Sequence, residues 1–291
     1  MADYSCAAAS RRERLFPLIW ALLYPLRIYL RYFPVQRGKG IVLRHILTPL
    51  LPPAGAEFDL RVPGEATVSL SYRETLGLSS LLYGTFEKAE LNFVSRYVRQ
   101  GDTAFDIGAN VGIFSVVLGA AVGKSGHVAA FEPVSENVAR LKRNLAKNDL
   151  DNVHVMPLAL GAAEGRLLLH LAKDAAYHSL GVVEKAFRAD GDVFVEVRRL
   201  DDVWTEMGRP VVSFVKIDVE GAESDVLRGA AAFLKACCPV LLIEANTKEH
   251  LDGLRDRLGA LGYAHSHPDG FVPHNHLFYC GASAERLSAV L

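Results

Sequence analysis

The amino-acid sequence predicts an α/β fold in which helices cover both faces of a mostly parallel β-sheet. Short, almost continuously apolar segments recur along the chain, amphipathic helical patterns separate them, and half of the 291 residues are hydrophobic. Unbroken apolar strands are typical of parallel sheets, because both faces of such a sheet are buried. A chain of this length and composition can bury a sizeable core.

The alternation of strands and helices starts after Gly101 and predicts one domain over residues 99–291. The predicted strands are residues 103–107, 127–132, 153–160, 211–218 and 239–244, and the predicted helices are residues 111–122, 135–148, 222–236 and 248–261. The segments 263–267 and 276–280 are expected to close the sheet as an antiparallel hairpin. The stretch between the third and fourth strands has no regular pattern.

Two further segments precede this domain. Residues 41–98 predict a small β-rich lead-in, with strand-like pieces at 58–62 and 67–72 and a helix over residues 85–98. Proline and glycine pairs interrupt the strand-like pieces. Residues 1–40 differ in composition and predict a separate basic and aromatic helical segment.

The apolar run Leu15–Tyr24 follows three arginines, Arg11, Arg12 and Arg14. It ends at Pro25, well short of the roughly 20 apolar residues that a spanning helix needs, and no small-residue cleavage site follows it. One interpretation is an interfacial helix with aromatic rings at headgroup depth and arginines on phosphates. The aromatic residues concerned are Trp20, Tyr24, Tyr29 and Tyr32. The other interpretation is a helix packed through its leucines on the domain or on a partner.

Composition excludes several classes of protein. The formal net charge of -1 gives no global attraction to nucleic acid, so any contact with acidic lipid must come from the basic residues within 11–40. The cysteines Cys6, Cys237, Cys238 and Cys280 show neither a disulfide framework nor a thiolate zinc spacing. These features predict a cytoplasmic protein, with a peripheral position at the inner membrane face left open.

A glycine turn follows the first predicted strand of the domain, over Asp106–Gly112. Glycines at such a turn let the backbone approach a ligand, and ligands of open α/β sheets bind at the carboxyl ends of the strands. A dinucleotide site needs Gly-x-Gly-x-x-Gly to hold a pyrophosphate, whereas this turn has Gly-x-x-x-Gly after a carboxylate. Asp106 would repel a pyrophosphate but suits the ammonium group of a methionine moiety. The turn therefore favours S-adenosylmethionine over NAD.

The second strand ends in Glu132, about 20 residues after the glycine turn, where an acidic side chain can accept hydrogen bonds from both ribose hydroxyls. The alternative is that Glu132 caps the following helix and that the turn is merely tight. Together, the turn and the strand-end acid predict a nucleoside cofactor site.

Asp218 and Glu220 lie at and just past the end of the fourth strand, where an acceptor would meet the cofactor. If the strand stays extended, the two carboxylates share a side. Asp218 is the candidate general base or acceptor-orienting group, with Glu220 next. The alternatives are that Asp218 binds the cofactor, that the pair holds a divalent cation, or that Glu220 caps the next helix, which is the preferred interpretation for Glu223. Lys216 is expected to form a structural ion pair with Asp106 or Glu244.

Four stretches resemble the FkbM-type methyltransferases, and the resemblance runs over residues 83–279. They are Gly101–Gly112, Ala159-Leu160-Gly161 with Gly165, Val215–Glu223 and Leu241–Glu244. The resemblance implies a Rossmann-like class I fold and an S-adenosylmethionine-dependent O-methyltransferase acting on a hydroxyl of a sugar, lipid-linked glycan or polyketide. Family members often carry a histidine after the Ile-Glu pair, whereas this chain has Ala245-Asn246. A non-catalytic, membrane-associated adaptor with the same fold is the alternative.

The resemblance also implies roles for individual residues. The implied cofactor-binding residues are Glu87, Asp106, Gly108, Asn110, Gly112, Glu132 and Leu160. Glu87 would cover the methionine end of the cofactor, and its alternative is a solvated glutamate at a helix start.

Several histidines remain outside this set. His178 and Ser179 lie in the irregular stretch and are candidate substrate residues, because loops above such sheets recognise the acceptor. The pairs His265/His267 and His274/His276 have no carboxylate or cysteine in a comparable arrangement, so no metal is expected there.

Overall fold

A computed structural model of the chain describes residues 11–25, 28, 48–53, 55–170 and 192–291. The candidate substrate residues His178 and Ser179 lie outside the described residues. Two compact units share the described residues: the first contains those within 11–60 and 69–86, and the second contains those within 61–68, 87–170 and 192–291. The domain boundaries after residues 40 and 98 stay predictions.

Helices and strands follow one another along the described parts of the chain. The helices are α1 (Arg11–Leu22), α2 (Thr48–Leu50), α3 (Thr75–Tyr83), α4 (Lys88–Tyr97), α5 (Ile113–Val122), α6 (Ser135–Lys147), α7 (Leu200–Glu206), α8 (Glu223–Arg228), α9 (Ala231–Cys237), α10 (Lys248–Gly259) and α11 (Gly281–Ser288). The strands are β1 (Glu57–Val62), β2 (Ala66–Ser71), β3 (Thr103–Ile107), β4 (His127–Phe131), β5 (Val153–Met156), β6 (Ala159–Leu160), β7 (Gly165–His170), β8 (Asp192–Arg198), β9 (Phe214–Ile217), β10 (Val240–Glu244), β11 (Ala264–Ser266) and β12 (Asn275–Tyr279).

The first unit packs its helices around a small apolar cluster. Phe16, Leu51, Leu78 and Leu82 are buried in it, and Trp20 packs against it from α1. The packing of Trp20 on its own unit agrees with the second interpretation of the amino-terminal helix and argues against a headgroup position for that ring. Tyr29 and Tyr32 lie outside the described residues.

The opposite side of α1 is apolar and exposed. Leu15, Leu18 and Leu22 are 43%, 65% and 81% exposed, and Tyr24 is exposed just beyond them. The helix therefore has an inner apolar side in the cluster and an outer one that faces solvent. Among the described helices, none has the combined length and hydropathy needed to cross a membrane.

Helix α3 was not predicted, since the lead-in was expected to be β-rich up to its last helix. Gly77 indicated a break in the sequence, but it lies within α3, where an added Cβ would stand 1.8 Å from the carbonyl oxygen of Ser71. The glycine thus serves close packing and leaves the helix intact. The predicted strand-like pieces are confirmed as the hairpin β1–β2.

The second unit is built on a seven-stranded sheet in the order β11-β12-β10-β9-β3-β4-β5. Strands β5, β4, β3, β9 and β10 are parallel, and β12 runs antiparallel to both β10 and β11. The predicted α/β fold with a carboxyl-terminal antiparallel hairpin is confirmed. The strand order reverses between β3 and β9, which creates the crevice where ligands of such sheets bind.

Two predicted elements are divided in the structure. The expected strand 153–160 splits because Pro157 has no N–H for a sheet ladder, and β6 instead joins a second sheet of order β6-β8-β7. The expected helix 222–236 becomes α8 and α9, which part at Gly229. A Cβ on Gly229 would lie 2.0 Å from the carbonyl oxygen of Gly161, so a neighbouring chain segment occupies the side-chain space.

The expectation of no disulfide is wrong for one cysteine pair, because the structure joins Cys238 to Cys280. Cys238 precedes β10 and Cys280 follows β12. These strands are antiparallel neighbours, so the start of one lies beside the end of the other. The pairing depends on strand order, which cysteine spacing alone does not reveal.

We predict that Gly229→Ala lowers the free energy of unfolding by about 2 kcal/mol, because the methyl group must displace the backbone at Gly161. Gly253→Ala is the matched control, since that helical glycine has open space around it and should gain up to about 1 kcal/mol. Urea unfolding followed by circular dichroism measures both changes. Equal stability of the two variants would contradict the close contact.

Candidate active site

Charged and polar side chains gather at one edge of the main sheet. Asp106, Glu132, Asp218 and Glu244 stand at or just past the carboxyl ends of β3, β4, β9 and β10. Asn275 begins the antiparallel strand β12 and is the register partner of Glu244. The fold therefore converges residues from five strands on one edge, which contains the crevice between β3 and β9.

The glycine turn after β3 is fixed by contacts within the protein. Gly108, Asn110 and Gly112 have positive φ angles of 82°, 51° and 96°. A Cβ on Gly108 would stand 1.8 Å from the carbonyl oxygen of Asp218, and one on Gly112 would stand 2.4 Å from the Leu141 side chain. These glycines were expected to allow approach of a ligand. The atoms that exclude a side chain here belong to the protein.

Asp106 is almost fully enclosed, with 1% of its surface exposed. Its Oδ2 accepts a hydrogen bond of 2.5 Å from Ser115 Oγ, and its buried Oδ1 accepts none. Burial raises the pKa of Asp106 to about 6, against the opposing effects of the Lys216 charge and the Ser115 hydroxyl. An unsatisfied buried carboxylate oxygen costs free energy unless a donor meets it.

Glu132 is buried and holds the glycine turn to the start of α6. Its Oε2 accepts from the backbone N–H of Asn110 at 2.9 Å, and its Oε1 accepts from the N–H of Val134 at 2.9 Å and from Asn137 Nδ2 at 3.2 Å. A carboxylate offers about four acceptor positions, so three are in use. Burial raises the pKa of Glu132, and the backbone hydrogen bonds oppose this shift. Glu132 therefore makes the helix-capping interaction that the sequence left open as its alternative role. Its carboxylate can still accept one further hydrogen bond.

Lys216 carries a buried ammonium group in the middle of the site. Its Nζ lies 2.8 Å from Asp218 Oδ2 and 4.8 Å from the centre of the Phe114 ring. Burial alone would lower the pKa of Lys216, but the charges of Asp218, Glu87 and Asp106 outweigh burial and raise it. The expected ion pair exists, but its hydrogen-bonded partner is Asp218 and not Asp106 or Glu244. The reason is that Lys216 and Asp218 project to the same side of β9.

Asp218 also shares a hydrogen bond with Glu244. Burial alone would raise the pKa of Asp218, yet the Lys216 ammonium and the hydrogen bonds hold it below its usual value. Burial and the nearby Asp218 charge raise the pKa of Glu244 to about 9, so Glu244 keeps its proton at neutral pH. His274 Nε2 lies 3.5 Å from Glu244 Oε1, and burial lowers the pKa of His274.

Glu87 points inward from the start of α4. Its Oε2 accepts from Asn275 Nδ2 at 2.8 Å, and burial raises its pKa to about 7. Glu90, one turn further along α4, also accepts from Asn275. A solvated glutamate at a helix start therefore does not describe Glu87, because its carboxylate is turned toward the sheet edge.

The loop after β9 does not continue the strand. β9 ends at Ile217, and Glu220 is exposed with a φ of 54°. The extended arrangement that would align Asp218 with Glu220 is therefore wrong. Glu223 is 1% exposed, and its Oε1 accepts from the N–H groups of Val219 and Gly221 at 3.1 Å, so it fixes this loop at the start of α8.

Other predicted or considered residues lie elsewhere. Leu160 is buried in the main hydrophobic core within the smaller sheet, and not at the edge formed by the main strands. His265 accepts or donates a hydrogen bond of 3.1 Å with His276, and Arg255 lies 3.0 Å from His265. Burial lowers the pKa of His276 to about 4. These ring nitrogens are engaged with one another and with an arginine.

Glu244, His274 and Asn275 are site residues that the sequence did not indicate as such. The sequence indicates Glu244 only as a partner of Lys216, although its position at a strand end after four apolar residues is a usable signal. His274 and Asn275 carry no comparable signal. They reach the site because β12 inserts antiparallel beside β10, and strand order is not readable from spacing.

A parallel sheet with this switch point, glycine turn and strand-end acids has the architecture of class I methyltransferases. The family model described as "Methyltransferase FkbM domain" matches residues 106–264, more than half of the chain. The chain belongs to the FkbM methyltransferase family, which confirms the predicted class. S-adenosylmethionine is the methyl donor of this family, so the expected cofactor is confirmed as well.

Curated relatives share parts of this chain. The "2-O-methyltransferase NoeI" of Sinorhizobium fredii is 33% identical over 112 residues, which cover 34% of this chain and 45% of the relative. The "Methyltransferase sdnD" of Sordaria araneosa is 33% identical over 152 residues, covering 43% of this chain and 58% of the relative. The match thus spans about half the length of these relatives. A crystal structure of a methyltransferase FkbM from Methylobacillus flagellatus is 19% identical, with a TM-score of 0.45 over 69% of this chain and 52% of that chain.

We predict that Lys216→Met lowers the free energy of unfolding by about 3 kcal/mol, because removing the buried ammonium leaves the partly buried Asp218 carboxylate without its partner. Lys235→Met, on an exposed position of α9, is the control and should change it by less than about 0.5 kcal/mol. Denaturant titration at pH 7.5 measures both. A Lys216→Met protein as stable as the control would show that the ion pair is not needed for stability.

Proposed function

We propose that this protein transfers the methyl group of S-adenosylmethionine to a hydroxyl of a sugar, glycolipid or polyketide-type acceptor. The observation that carries the proposal is the buried Asp106 carboxylate at the switch point, whose Oδ1 has no hydrogen-bond donor. An ammonium group would supply both the missing donor and the opposite charge. The chain's residues thus fit the amino-acid end of the cofactor.

The remaining cofactor contacts follow from the same edge. Glu132 has acceptor capacity for a ribose hydroxyl beyond its three intramolecular hydrogen bonds. Glu87 offers a second inward carboxylate toward the methionine end. Gly108, Asn110 and Gly112 hold the turn in its left-handed conformations. Leu160 would contribute only by supporting the core beneath the site.

When bound, S-adenosylmethionine would supply an electrophilic methyl group to the acceptor oxygen as its carbon–sulfur bond breaks, and the hydroxyl proton would pass to solvent. Asp218 stands at the edge where the acceptor would enter, and its side chain is 30% exposed. Because Lys216 and Glu244 already engage its carboxylate, it is better suited to orient the acceptor hydroxyl than to take its proton. Glu220, exposed in the next loop, would contact the acceptor from outside. His178 and Ser179 remain proposed acceptor residues.

The O-methyl specificity is supported by the name of one relative, a 2-O-methyltransferase. The chemical class of the acceptor is supported by the family resemblance of the sequence motifs. A non-catalytic adaptor would also retain the fold, but it has no need for an unsatisfied buried carboxylate at the switch point. Mass spectrometry of glycolipids and small molecules from cells with and without the protein separates the two, since only the enzyme adds a mass of one methylene unit.

We also propose a cytoplasmic location with peripheral contact to the inner membrane face. The outer side of α1 supports this proposal, because Leu15, Leu18 and Leu22 are exposed and arginines precede them in the sequence. Apolar side chains combined with nearby basic residues favour an anionic lipid surface. A lipid-linked acceptor would then lie close to the enzyme.

We expect Asp106→Asn to raise the Kd for S-adenosylmethionine at least about tenfold, because a charge-assisted hydrogen bond to the ammonium is lost. Isothermal titration measures this. In the unliganded protein, the raised pKa of Asp106 means that ionisation opposes folding as pH rises from 3.8 to about 6. Asp106→Asn should therefore be no less stable than wild type at pH 8, which separates a binding defect from unfolding.

The Asp106 carboxylate also makes the affinity for S-adenosylmethionine depend on pH. The pKa of Asp106 is about 6, so protonation below this pH removes the charge that attracts the ammonium. The Kd for S-adenosylmethionine should therefore rise about tenfold for each unit by which the pH falls below the pKa. Asp106→Asn should lack this part of the dependence. Absence of S-adenosylmethionine binding to folded wild-type protein at any pH would refute the proposed function.

For the membrane contact, we predict that Leu18→Gln with Leu22→Gln abolishes flotation with anionic liposomes while thermal unfolding stays unchanged. Both side chains are exposed, so the substitutions leave the apolar cluster intact. Val211→Gln removes an 81% exposed apolar side chain elsewhere and is the control. Flotation that survives the double substitution would contradict the lipid contact.

A further inference from the structure

Three carboxylates converge at the carboxyl edge of the sheet beside the crevice. Asp218, Glu223 and Glu244 each offer an oxygen, and these oxygens lie within 4.8 Å of one another. They come from the end of β9, the start of α8 and the end of β10, so three separate elements position them. Within the described ranges, this is the group that has the spacing of metal ligands.

The pairing of charges in this group is incomplete. Lys216 contacts one oxygen of Asp218 and neutralises one carboxylate, and a bound cation would displace the proton of the hydrogen bond between Glu244 and Asp218. Glu87 and Asp106 add further acidic groups around the same lysine. The local excess of carboxylates over ammonium groups favours binding of a cation.

Glu223 gives a second and separate indication of a cation site. Its side chain is 1% exposed, and its Oε1 already accepts two backbone N–H groups. Its other oxygen, Oε2, is buried and accepts no hydrogen bond, although His250 Nε2 lies 3.3 Å away. A buried carboxylate oxygen without a donor is rare in folded proteins and calls for a cation or another partner.

We propose that Asp218, Glu223 and Glu244 bind one divalent cation of the Mg²⁺ or Mn²⁺ class. These are hard cations that prefer carboxylate oxygens and keep several water ligands. The exposed parts of Asp218 and Glu244, 30% and 14% of their side chains, leave room for such waters on the solvent side. The sequence led us to expect no metal, and it suggested a cation only as an alternative between Asp218 and Glu220.

A cation at this position would act on the acceptor. An acceptor hydroxyl that replaces one water would be polarised and would lose its proton more readily to solvent. This use of the cation rests on the proposed function, whereas cation binding itself does not. It also gives the site a means of activating the hydroxyl that does not need Asp218 as a base.

The test is a titration of tag-free protein with Mn²⁺, with free Mn²⁺ followed by electron paramagnetic resonance. We expect one Mn²⁺ per chain, displaced by Mg²⁺. Asp218→Asn and Glu244→Gln should each weaken binding at least about tenfold, the loss typical of altered metal sites. Glu220→Gln is the matched control: it removes a carboxylate two residues from Asp218 but outside the ligand set, and should stay within about twofold of wild type.

Two results would overturn the site. One is wild-type protein that binds no Mn²⁺ up to about 1 mM, the weak end of oxygen-ligand sites. The other is an equal loss in Glu220→Gln, which would indicate diffuse attraction. Thermal unfolding of each variant identifies misfolding, and the wild-type titration stands without the variants. Titration with S-adenosylmethionine in EDTA tests the proposed function without any cation. A failure of the cation site is therefore distinguishable from a failure of the proposed function.

Discussion

The buried ammonium of Lys216 is the interaction on which the arrangement of the site depends. It lies in the middle of an apolar strand and is 3% exposed, yet it stands close enough to Asp218, Glu87 and Asp106 for their charges to dominate its pKa. Without it, several carboxylates would share a poorly solvated edge and repel one another. The lysine thus allows acidic groups to lie close together where the strand order reverses, between β3 and β9. The ring of Phe114 closes the other side of the ammonium.

A close approach of two backbones accompanies this charge arrangement. The turn after β3 and the loop after β9 meet where Gly108 faces the carbonyl of Asp218. Any side chain at Gly108 would push these segments apart and move Asp218 relative to Asp106. The glycine turn therefore also serves packing, because it keeps the two segments beside the crevice close together. This role is separate from its proposed part in cofactor binding.

The sequence predicted the alternation of strands and helices, because unbroken apolar runs and helical periodicity are local properties. It also predicted that Asp106, Glu132 and Asp218 lie at the carboxyl ends of strands, since each stands within one residue of the end of an apolar strand. It missed the pairing of Asp218 with Glu244, which depends on neighbour relations. Ile217 and Ile243 are register partners, so the next residue on each strand stands side by side. Helix α3 and the split at Pro157 show the other limit, where one glycine or proline can indicate a packing contact or a break.

The strand β12 introduces a long-range dependence into the site. It brings Asn275 to Glu87 across a separation of 188 residues. Every strand of the main sheet except β12 lies between these two residues in the sequence, so the contact needs those strands in place. Most of the sheet can therefore assemble before β12 completes the site. The binding edge is a property of the finished second unit, and a nascent chain that has not yet placed β12 holds the acidic groups without the segment that orders them.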